Sequence, residues 1–303
     1  MAERFHYGGQ AVIEGVMMRG QNAAAIVVRR PNGKLAINTK PLSPIYTGRM
    51  RRTPFIRGTI ALLEALVIGV GSLVYSANVA LEEEEEKLSS GSVWLILSVS
   101  LAFGVGLFFL APLFLTRLID LYISSSLLFH LIEGFVRLVI FLGYLKLISL
   151  LPDIKRSFAY HGAEHKTIHA YEDGAPLEPE AIRRYGTAHA RCGTAFLLAV
   201  LVIAILIFAL IGRQEIWIMI LSRILLLPVI ASLGYEVTQF GARHMNNGFI
   251  RATMTPGLWL QGLTTNEPDE GQIEVAVAAL KEVLATEHPV EAAQAASSLR
   301  TVP

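Results

Sequence analysis

Long runs of apolar residues are the sequence feature that most constrains the fold of this chain. Residues 93–115 and 194–212 contain no charged side chain, and residues 127–151 and 216–234 are equally apolar apart from four charges. Each run is about as long as the roughly 20 residues that a helix needs to cross a bilayer. The chain is 53% hydrophobic and only 17% charged, whereas soluble domains carry roughly 25% charged residues. The pattern predicts a mostly α-helical, polytopic membrane protein with about four spans, whose expected partner is the lipid bilayer.

Three of the charges inside the predicted spans are spaced so that they can pair. Glu133 and Arg137 are four residues apart and therefore share a helix face. Arg223, in the fourth run, needs a buried partner because an unpaired charge inside a membrane is costly, and Glu133 is a candidate. We interpret these charges mainly as neutralising one another, and we keep a transport role for them as an alternative.

The segments outside the apolar runs differ from one another in character. Residues 1–55 contain β-prone stretches on either side of Asn32-Gly33, a strong hairpin signal, so a small β-hairpin region is predicted there. Residues 56–81 are apolar and helical in period but carry two charges, which favours a packed or interfacial helix over a span. The first two spans are predicted over residues 93–151, a polar loop over 152–193 and a membrane hairpin over 194–234. A C-terminal segment follows over residues 235–290, with a short amphipathic helix at 273–284, and residues 291–303 are predicted to be a disordered tail.

Lysine and arginine are distributed unevenly between the polar segments. Residues 1–57 and 152–193 are rich in them, whereas the loops near 116–126 and 213–215 hold one arginine each. By the positive-inside rule, the N-terminus, the 152–193 loop and the C-terminus are expected on the cytoplasmic side of the cell membrane. This arrangement needs an even number of spans, which agrees with four. Because no basic patch interleaved with aromatic residues is present, nucleic acid is not an expected partner; a protein partner or a second copy is left open.

A His-x-x-Glu-His motif follows the second apolar run. If its segment is helical, His161 and His165 are four residues apart and share one face, and His169 extends that face by one turn. Two imidazoles at this spacing can hold one divalent metal ion. Glu164 lies three residues after His161, close enough to face a metal-bound water and to accept its proton. The motif thus predicts a metal site with Glu164 as its catalytic base.

Further candidate ligands flank the predicted membrane hairpin 194–234. His189 and Cys192 stand just before it, and Glu236 stands just after it. Because the two ends of a helical hairpin return to the same membrane face, these residues are expected to converge there. Zinc takes His, Cys and Glu as ligands and is the favoured ion. The predicted ligands are therefore His161, His165, His189, Cys192 and Glu236. Arg191 is predicted to act catalytically by stabilising an oxyanion or a phosphate, with Arg243 as the alternative.

The motif resembles that of the inverted zinc peptidases, which also carry His-x-x-Glu-His. The resemblance implies that His161 and His165 bind zinc, that Glu164 activates water, and that Glu236 takes the place of a distal glutamate ligand. One feature departs from the peptidase pattern: two predicted membrane spans separate the motif from Glu236, whereas the inverted peptidases are soluble.

Four stretches resemble the YqhQ-like bacterial membrane proteins, a family of unknown function to which metal dependence is ascribed. They are GGQAVIEGVMMR at residues 8–19, HGAEHK at 161–166, HARCGT at 189–194, and PGLWLQ at 256–261 followed by Thr264-Thr265. The resemblance extends over nearly the whole chain. It implies a polytopic protein of the bacterial inner membrane, but it supplies no substrate.

Three functions follow from these observations. The first is an integral membrane protein with a divalent-metal site at its cytoplasmic face that acts as a metal-dependent hydrolase. The second is a non-catalytic membrane scaffold or assembly factor in which the histidines are structural. The third is a transporter that uses Glu133, Arg137 and Arg223.

Overall fold

The N-terminal region forms an antiparallel sheet, and the rest of the described chain is helical. The computed structural model describes residues 5–81 and 89–287, so the predicted tail 291–303 lies outside it. The strands are Gly8–Val12 (β1), Gly15–Arg19 (β2), Ala23–Arg29 (β3) and Leu35–Pro41 (β4). The helices are Pro44–Thr47 (α1), Arg49–Arg52 (α2), Ile56–Ala80 (α3), Ser90–Val105 (α4), Ala111–Arg117 (α5), Ser126–Ile148 (α6), Pro152–Glu172 (α7), Pro179–Ile182 (α8), Gly193–Ile211 (α9), Ile216–Leu225 (α10), Leu227–Arg243 (α11), Gly248–Gln261 (α12) and Glu270–Glu287 (α13). The mostly α-helical prediction with a small N-terminal β region is confirmed.

The sheet is a four-stranded meander in the order β1-β2-β3-β4. The hairpin predicted at Asn32-Gly33 joins β3 to β4, and Gly33 has the positive φ of 80° that such turns require. The sheet is larger than the predicted hairpin because the glycine-rich segment before it supplies β1 and β2. Gly15 permits this pairing, since a Cβ there would lie 2.3 Å from the carbonyl oxygen of Val27.

Helices cover both faces of the sheet. On one face, β2 and β3 pack against α7 and α13 in a single apolar core that includes Val16, Val27, Tyr160 and Leu280. On the other face, Ile68, Tyr75 and Val79 of α3 pack against a second set of strand side chains. The sheet, α7 and α13 therefore form one body, although they come from three distant parts of the chain.

Several helices have the length and composition of membrane spans. Among the described residues, Ile56–Ala80, Ser90–Arg117 and Gly193–Ile211 are each long and apolar enough to cross a bilayer. Two bent pairs pass the same test together: α6 with α7, bent by 99°, and α10 with α11, bent by 49°. A π-helical turn, Gly106–Leu110, makes α4 and α5 one continuous rod. Helix α4 has no buried residue, so its apolar side chains face outward, as in a helix surrounded by lipid.

The charges within the helical bundle pair as predicted. Arg223 donates to both carboxylate oxygens of Glu133, at 2.6 and 2.7 Å. Arg137 donates to the same carboxylate at 2.6 Å and, through Nε, to the carbonyl of Phe108 in the π-helical turn at 3.0 Å. His130 Nδ1 lies 3.4 Å from Glu133. This group, the bundle charge cluster, joins α6 to α10 and to the α4–α5 rod.

Candidate metal centre

Helix α7 carries the His-x-x-Glu-His motif. The helix begins with Pro152 at its first position and Asp153 in its first turn, both favourable at a helix N-terminus. The expected histidine stripe is formed, and the ring centroids of His161 and His165 lie 4.4 Å apart. Glu164, His165 and the residues beside them are buried beneath the sheet and the 187–192 segment.

Cys192 joins the two motif histidines. It is the N-cap residue of α9, and its Sγ lies 3.4 Å from His161 Nε2. One ligand atom from each of His161, His165 and Cys192 lies within 4.8 Å of the others. Among the described residues, this is the one group of three or more His, Cys, Asp or Glu side chains that converges so closely. We call it the His-His-Cys cluster.

Backbone carbonyls orient the two imidazoles. His161 Nδ1 lies 2.8 Å from the carbonyl oxygen of Thr264, and His165 Nδ1 contacts the carbonyl oxygen of Thr187. Because a carbonyl can only accept, both Nδ1 atoms must carry the proton, and in the neutral rings Nε2 keeps its lone pair. Both Nε2 atoms therefore keep an electron pair on the side of Cys192, whose thiol lies within hydrogen-bond distance of His161 Nε2. A ring nitrogen held by a backbone carbonyl is the usual support of a metal-binding histidine.

Glu164 lies beside the cluster and has few polar contacts. Its side chain is 5% exposed, and the one polar contact it makes among the described residues is with His165 Nε2, at 3.5 Å. Strand β1 covers it, since a Cβ on Gly9 would lie 2.8 Å from Glu164 Cγ. Burial lowers the pKa of His165, but the Glu164 carboxylate and the Cys192 thiol raise it more, so the net pKa lies above its ordinary value. The carboxylate and the thiol therefore favour a positive charge at the His165 ring.

The donor set fits a transition metal. Two imidazole nitrogens and one sulfur suit zinc and similar borderline ions better than magnesium or calcium, which prefer oxygen. A buried carboxylate with a single weak partner also needs a cation nearby, because burying an unpaired charge is costly. Three protein ligands are the number found in catalytic zinc sites, where the fourth position takes water or substrate.

The segment after α12 supports the cluster, and the sequence reasoning missed it. Asn266 N–H donates to the carbonyl of Phe158 on α7 at 2.9 Å. A Cβ on Gly162 would lie 2.1 Å from the Asn266 carbonyl oxygen, so only glycine permits this approach. The buried side chain of Gln261 bonds both the N–H and the carbonyl of His189, at 2.8 and 2.9 Å. The sequence signal for this segment was the family resemblance of PGLWLQ and Thr264-Thr265. These residues form no recognised ligand or catalytic motif, so their supporting role could not be predicted.

His189 and Arg191 lie next to the cluster but turn toward Glu172. His189 Nε2 is 3.5 Å from the Glu172 carboxylate, and Arg191 forms a salt bridge with the same carboxylate. Burial raises the pKa of Glu172, but the hydrogen bond from His189 and the charges of Arg191, His189 and His6 outweigh it and hold the pKa at about 2. Burial lowers the pKa of His189 despite Glu172. The ring of His189 lies 5.7 Å from that of His165, so His189 borders the cluster without belonging to it.

Glu236 is not brought into the cluster. Both of its carboxylate oxygens bind Arg57 of α3, and one also accepts from the N–H of Phe55. This pairing arises because α3 packs closely on α11. The helices approach so closely that a Cβ on Gly58 would lie 2.5 Å from Ser232 Cα. The hypothesis that Glu236 serves as the distal glutamate ligand therefore has no geometric support. The resemblance to the inverted peptidases is then limited to the His-x-x-Glu-His motif.

Comparison with known proteins agrees with the resemblance. A family model described as "Protein of unknown function (DUF1385)" matches residues 53–286. The "Uncharacterized protein YqhQ" of Bacillus subtilis (strain 168) is 35% identical over 299 residues, which cover 93% of this chain and 93% of that protein. No solved structure matches the chain. The expected family is confirmed: the chain belongs to the DUF1385 family and is similar to YqhQ.

Proposed function

We propose that this protein is a membrane-embedded, metal-dependent hydrolase whose metal ion is held by His161, His165 and Cys192. The observation that carries the proposal is the orientation of these groups. Both histidines donate Nδ1–H to backbone carbonyls and present Nε2 to the same point as Cys192 Sγ, within 4.8 Å. Zinc is the favoured ion because of this nitrogen and sulfur set.

The protein residues around the ion have separate roles in this proposal. A divalent ion held there lowers the pKa of a water molecule that it binds toward about 7. Glu164, which is buried and has one weak polar partner, is the general base that accepts the proton. The carbonyls of Thr187 and Thr264 keep the imidazoles in the productive tautomer. Arg191 binds Glu172, so we assign it to the rim of the site and not to the reacting atoms.

The placement of the site at the cytoplasmic membrane face is part of the proposal. The sheet, α7 and α13 share one core and so must lie on the same side of a membrane. The second half of α3 packs on the sheet, which supports a non-spanning α3 despite its length and apolarity. We therefore propose four spans: the α4–α5 rod, α6, α9 and α10–α11. The arginine- and lysine-rich segments then face the cytoplasm.

Elemental analysis of detergent-purified protein tests the metal site. The wild type should carry about one equivalent of zinc, iron or manganese after loading and dialysis, and His161→Ala and Cys192→Ala should lose it. His244→Ala is the matched control, because His244 also places Nδ1 on a backbone carbonyl, that of Phe240, but lies outside the cluster. No metal in folded, reloaded wild type would overturn the proposal.

Glu164→Gln separates a hydrolase from a scaffold that contains a structural ion. The variant keeps the size of the side chain but cannot accept a proton. We expect it to retain the metal and to lose hydrolysis of p-nitrophenyl acetate and p-nitrophenyl phosphate by about 100-fold or more. A metal-loaded wild type that hydrolyses neither ester, or a fully active variant, would contradict the catalytic role and favour the scaffold.

A further inference from the structure

A cleft whose lining includes Arg191, the residue before Cys192, has an unusual charge distribution. It has a volume of about 680 Å³ and lies between the N-terminal segment, β2, α2 and α11. Five arginines line it, together with one histidine, and among the residues that the structure describes no Asp or Glu lines it. The arginines are Arg19, Arg51, Arg52, Arg191 and Arg243. A concave surface lined by cations alone focuses a positive potential and attracts anions.

Two carboxylates behind the wall hold three of these arginines in place. Glu64 accepts from Arg19 Nε at 2.7 Å and from Arg51 Nε at 3.2 Å. Glu172 accepts from Arg191. Among the described residues, Arg52 has no carboxylate within salt-bridge distance, and its side chain is exposed. The cleft therefore keeps an excess of positive charge after its internal salt bridges are formed.

The anchored arginines retain donors that can face a ligand. A guanidinium has five N–H groups in one plane. Arg51 uses one for Glu64 and one for the hydroxyl of Tyr235, at 2.8 Å. Arg19 uses one for Glu64 and one for the carbonyl of Tyr46, at 3.0 Å. Each thus has further N–H groups in a fixed orientation, which is the arrangement that recognises phosphate oxygens.

The size and the walls of the cleft indicate more than an inorganic ion. A volume of this size holds an organic ligand. Phe5, Tyr7, Tyr46 and Tyr235 provide aromatic surface between the arginines, and Arg51 stacks over the Tyr235 ring at 5.2 Å. A lining that combines guanidinium groups with aromatic rings suits a phosphate ester, whose head is anionic and whose remainder is not.

We propose that this cleft binds the phosphate group of an organic phosphate ester, either the head group of an anionic lipid or a soluble phosphate compound. Arg191, which lines the cleft, directly precedes Cys192 in the chain and so connects the cleft to the His-His-Cys cluster. Binding does not require the metal. Only the further step, that the bound ester is the substrate, rests on the proposed function.

Binding of pyrophosphate and of lipid tests the proposal. Protein in a neutral detergent is titrated calorimetrically with pyrophosphate, and separately with mixed micelles containing phosphatidic acid or, as the uncharged comparison, phosphatidylcholine. The variants are Arg52→Gln, Arg243→Gln and the double variant, which leave the Glu64 and Glu172 salt bridges intact. Arg49→Gln is the matched control, because Arg49 is an exposed residue of the same helix α2 that does not line the cleft.

We expect the wild type and Arg49→Gln to bind equally, and the double variant to bind about tenfold or more weakly. Binding of pyrophosphate shows that a soluble phosphate compound is sufficient, whereas binding of phosphatidic acid micelles alone identifies a lipid. Absence of binding to both probes, or an unchanged affinity in the double variant, would overturn the proposal. His161→Ala should bind both probes as the wild type does, so a missing metal and a missing anion site give different results.

Discussion

The protein contains two buried groups of polar side chains that differ in how their atoms are satisfied. In the bundle charge cluster, both oxygens of Glu133 have guanidinium partners, and Arg137 and Arg223 also donate to backbone carbonyls. In the His-His-Cys cluster, backbone carbonyls accept from the outer ring nitrogens, and the inner ring nitrogens converge with the Cys192 sulfur. The charges of the first group pair with one another, although His130 and Arg223 Nε have no hydrogen-bond partner among the described residues, whereas the second group brings together nitrogen and sulfur atoms of the kind that bind a transition metal.

This difference distinguishes structural from functional polar groups. Charges that pair with one another inside an apolar bundle fix the packing of helices, and this pairing favours a structural role for Glu133, Arg137 and Arg223 over the transport role. Nitrogen and sulfur atoms that converge from separate segments are of the kind that bind a metal ion, which is the role proposed for the second group. The comparison predicts that substitutions in the first group change stability and that substitutions in the second change metal binding.

The largest effect on stability is expected from Glu133→Gln. The change leaves two guanidinium groups buried without a carboxylate and should cost about 3–5 kcal/mol of the free energy of unfolding, with metal content unchanged in the fraction that folds. Equilibrium unfolding in mixed micelles measures it, with Glu215→Gln in the exposed loop as the control. A variant as stable as the wild type would show that the bundle charge cluster is not structural.

A smaller loss of stability is expected from Gly162→Ala, which perturbs the surroundings of the His-His-Cys cluster and not the bundle charge cluster. The added Cβ would collide with the Asn266 carbonyl and displace the segment that holds His161. We expect a loss of about 1–3 kcal/mol in stability and a metal affinity lowered about tenfold or more. Gly143→Ala in α6 is the control, since a Cβ there meets nothing within 4 Å. Unchanged metal affinity would argue against positioning by this segment.

Glu172 at the rim should give a pH-dependent effect of about 1–2 kcal/mol. Its folded-state pKa of about 2 lies below the ordinary value of 4.5, so the unfolded state binds more protons between these values. The stabilisation is therefore complete above about pH 4.5 and is lost as the pH falls toward 2. The stability difference between wild type and Glu172→Gln, measured from pH 6 downward, should shrink over that range. A difference that stays constant with pH would contradict the assigned pairing.

The smallest effect is expected from Cys192→Ala in chelator-treated protein. If the His-His-Cys cluster is a binding site and not a structural element, removing the thiol from metal-free protein should cost less than about 1 kcal/mol. The same variant should lose the stabilisation that zinc gives the wild type. Unfolding curves with and without zinc make the comparison. A large loss of stability without metal would mean that the cluster is structural.

Local spacing predicted part of this site. Histidines four residues apart defined the stripe on α7, and the return of a membrane hairpin to one face placed Cys192 near it. The pairing of Glu133 with Arg223 followed from the cost of an unpaired charge in an apolar bundle. The hairpin rule was not sufficient by itself, because it also predicted that Glu236 would converge on this site, whereas Glu236 binds Arg57.

The remaining features depend on contacts between distant segments, which a single sequence does not encode locally. Glu236 turned to Arg57 because α3 packs on α11, and nothing near Glu236 in the chain signals that packing. The helix predicted at residues 273–284 is longer, Glu270–Glu287, and largely buried because the sheet and α7 both cover it. The carbonyls of Thr187 and Thr264 act through the backbone and leave no signature in residue type.

X-ray absorption at the zinc edge tests the central claim most directly. In zinc-loaded, detergent-purified protein, the account predicts one sulfur ligand at about 2.3 Å and two imidazole nitrogens at about 2.0–2.1 Å, with one further light atom. The sulfur contribution should disappear in Cys192→Ser, and the imidazole signal should fall by about half in His161→Ala. A spectrum of oxygen ligands alone, or one that neither substitution changes, would contradict a metal centre at His161, His165 and Cys192.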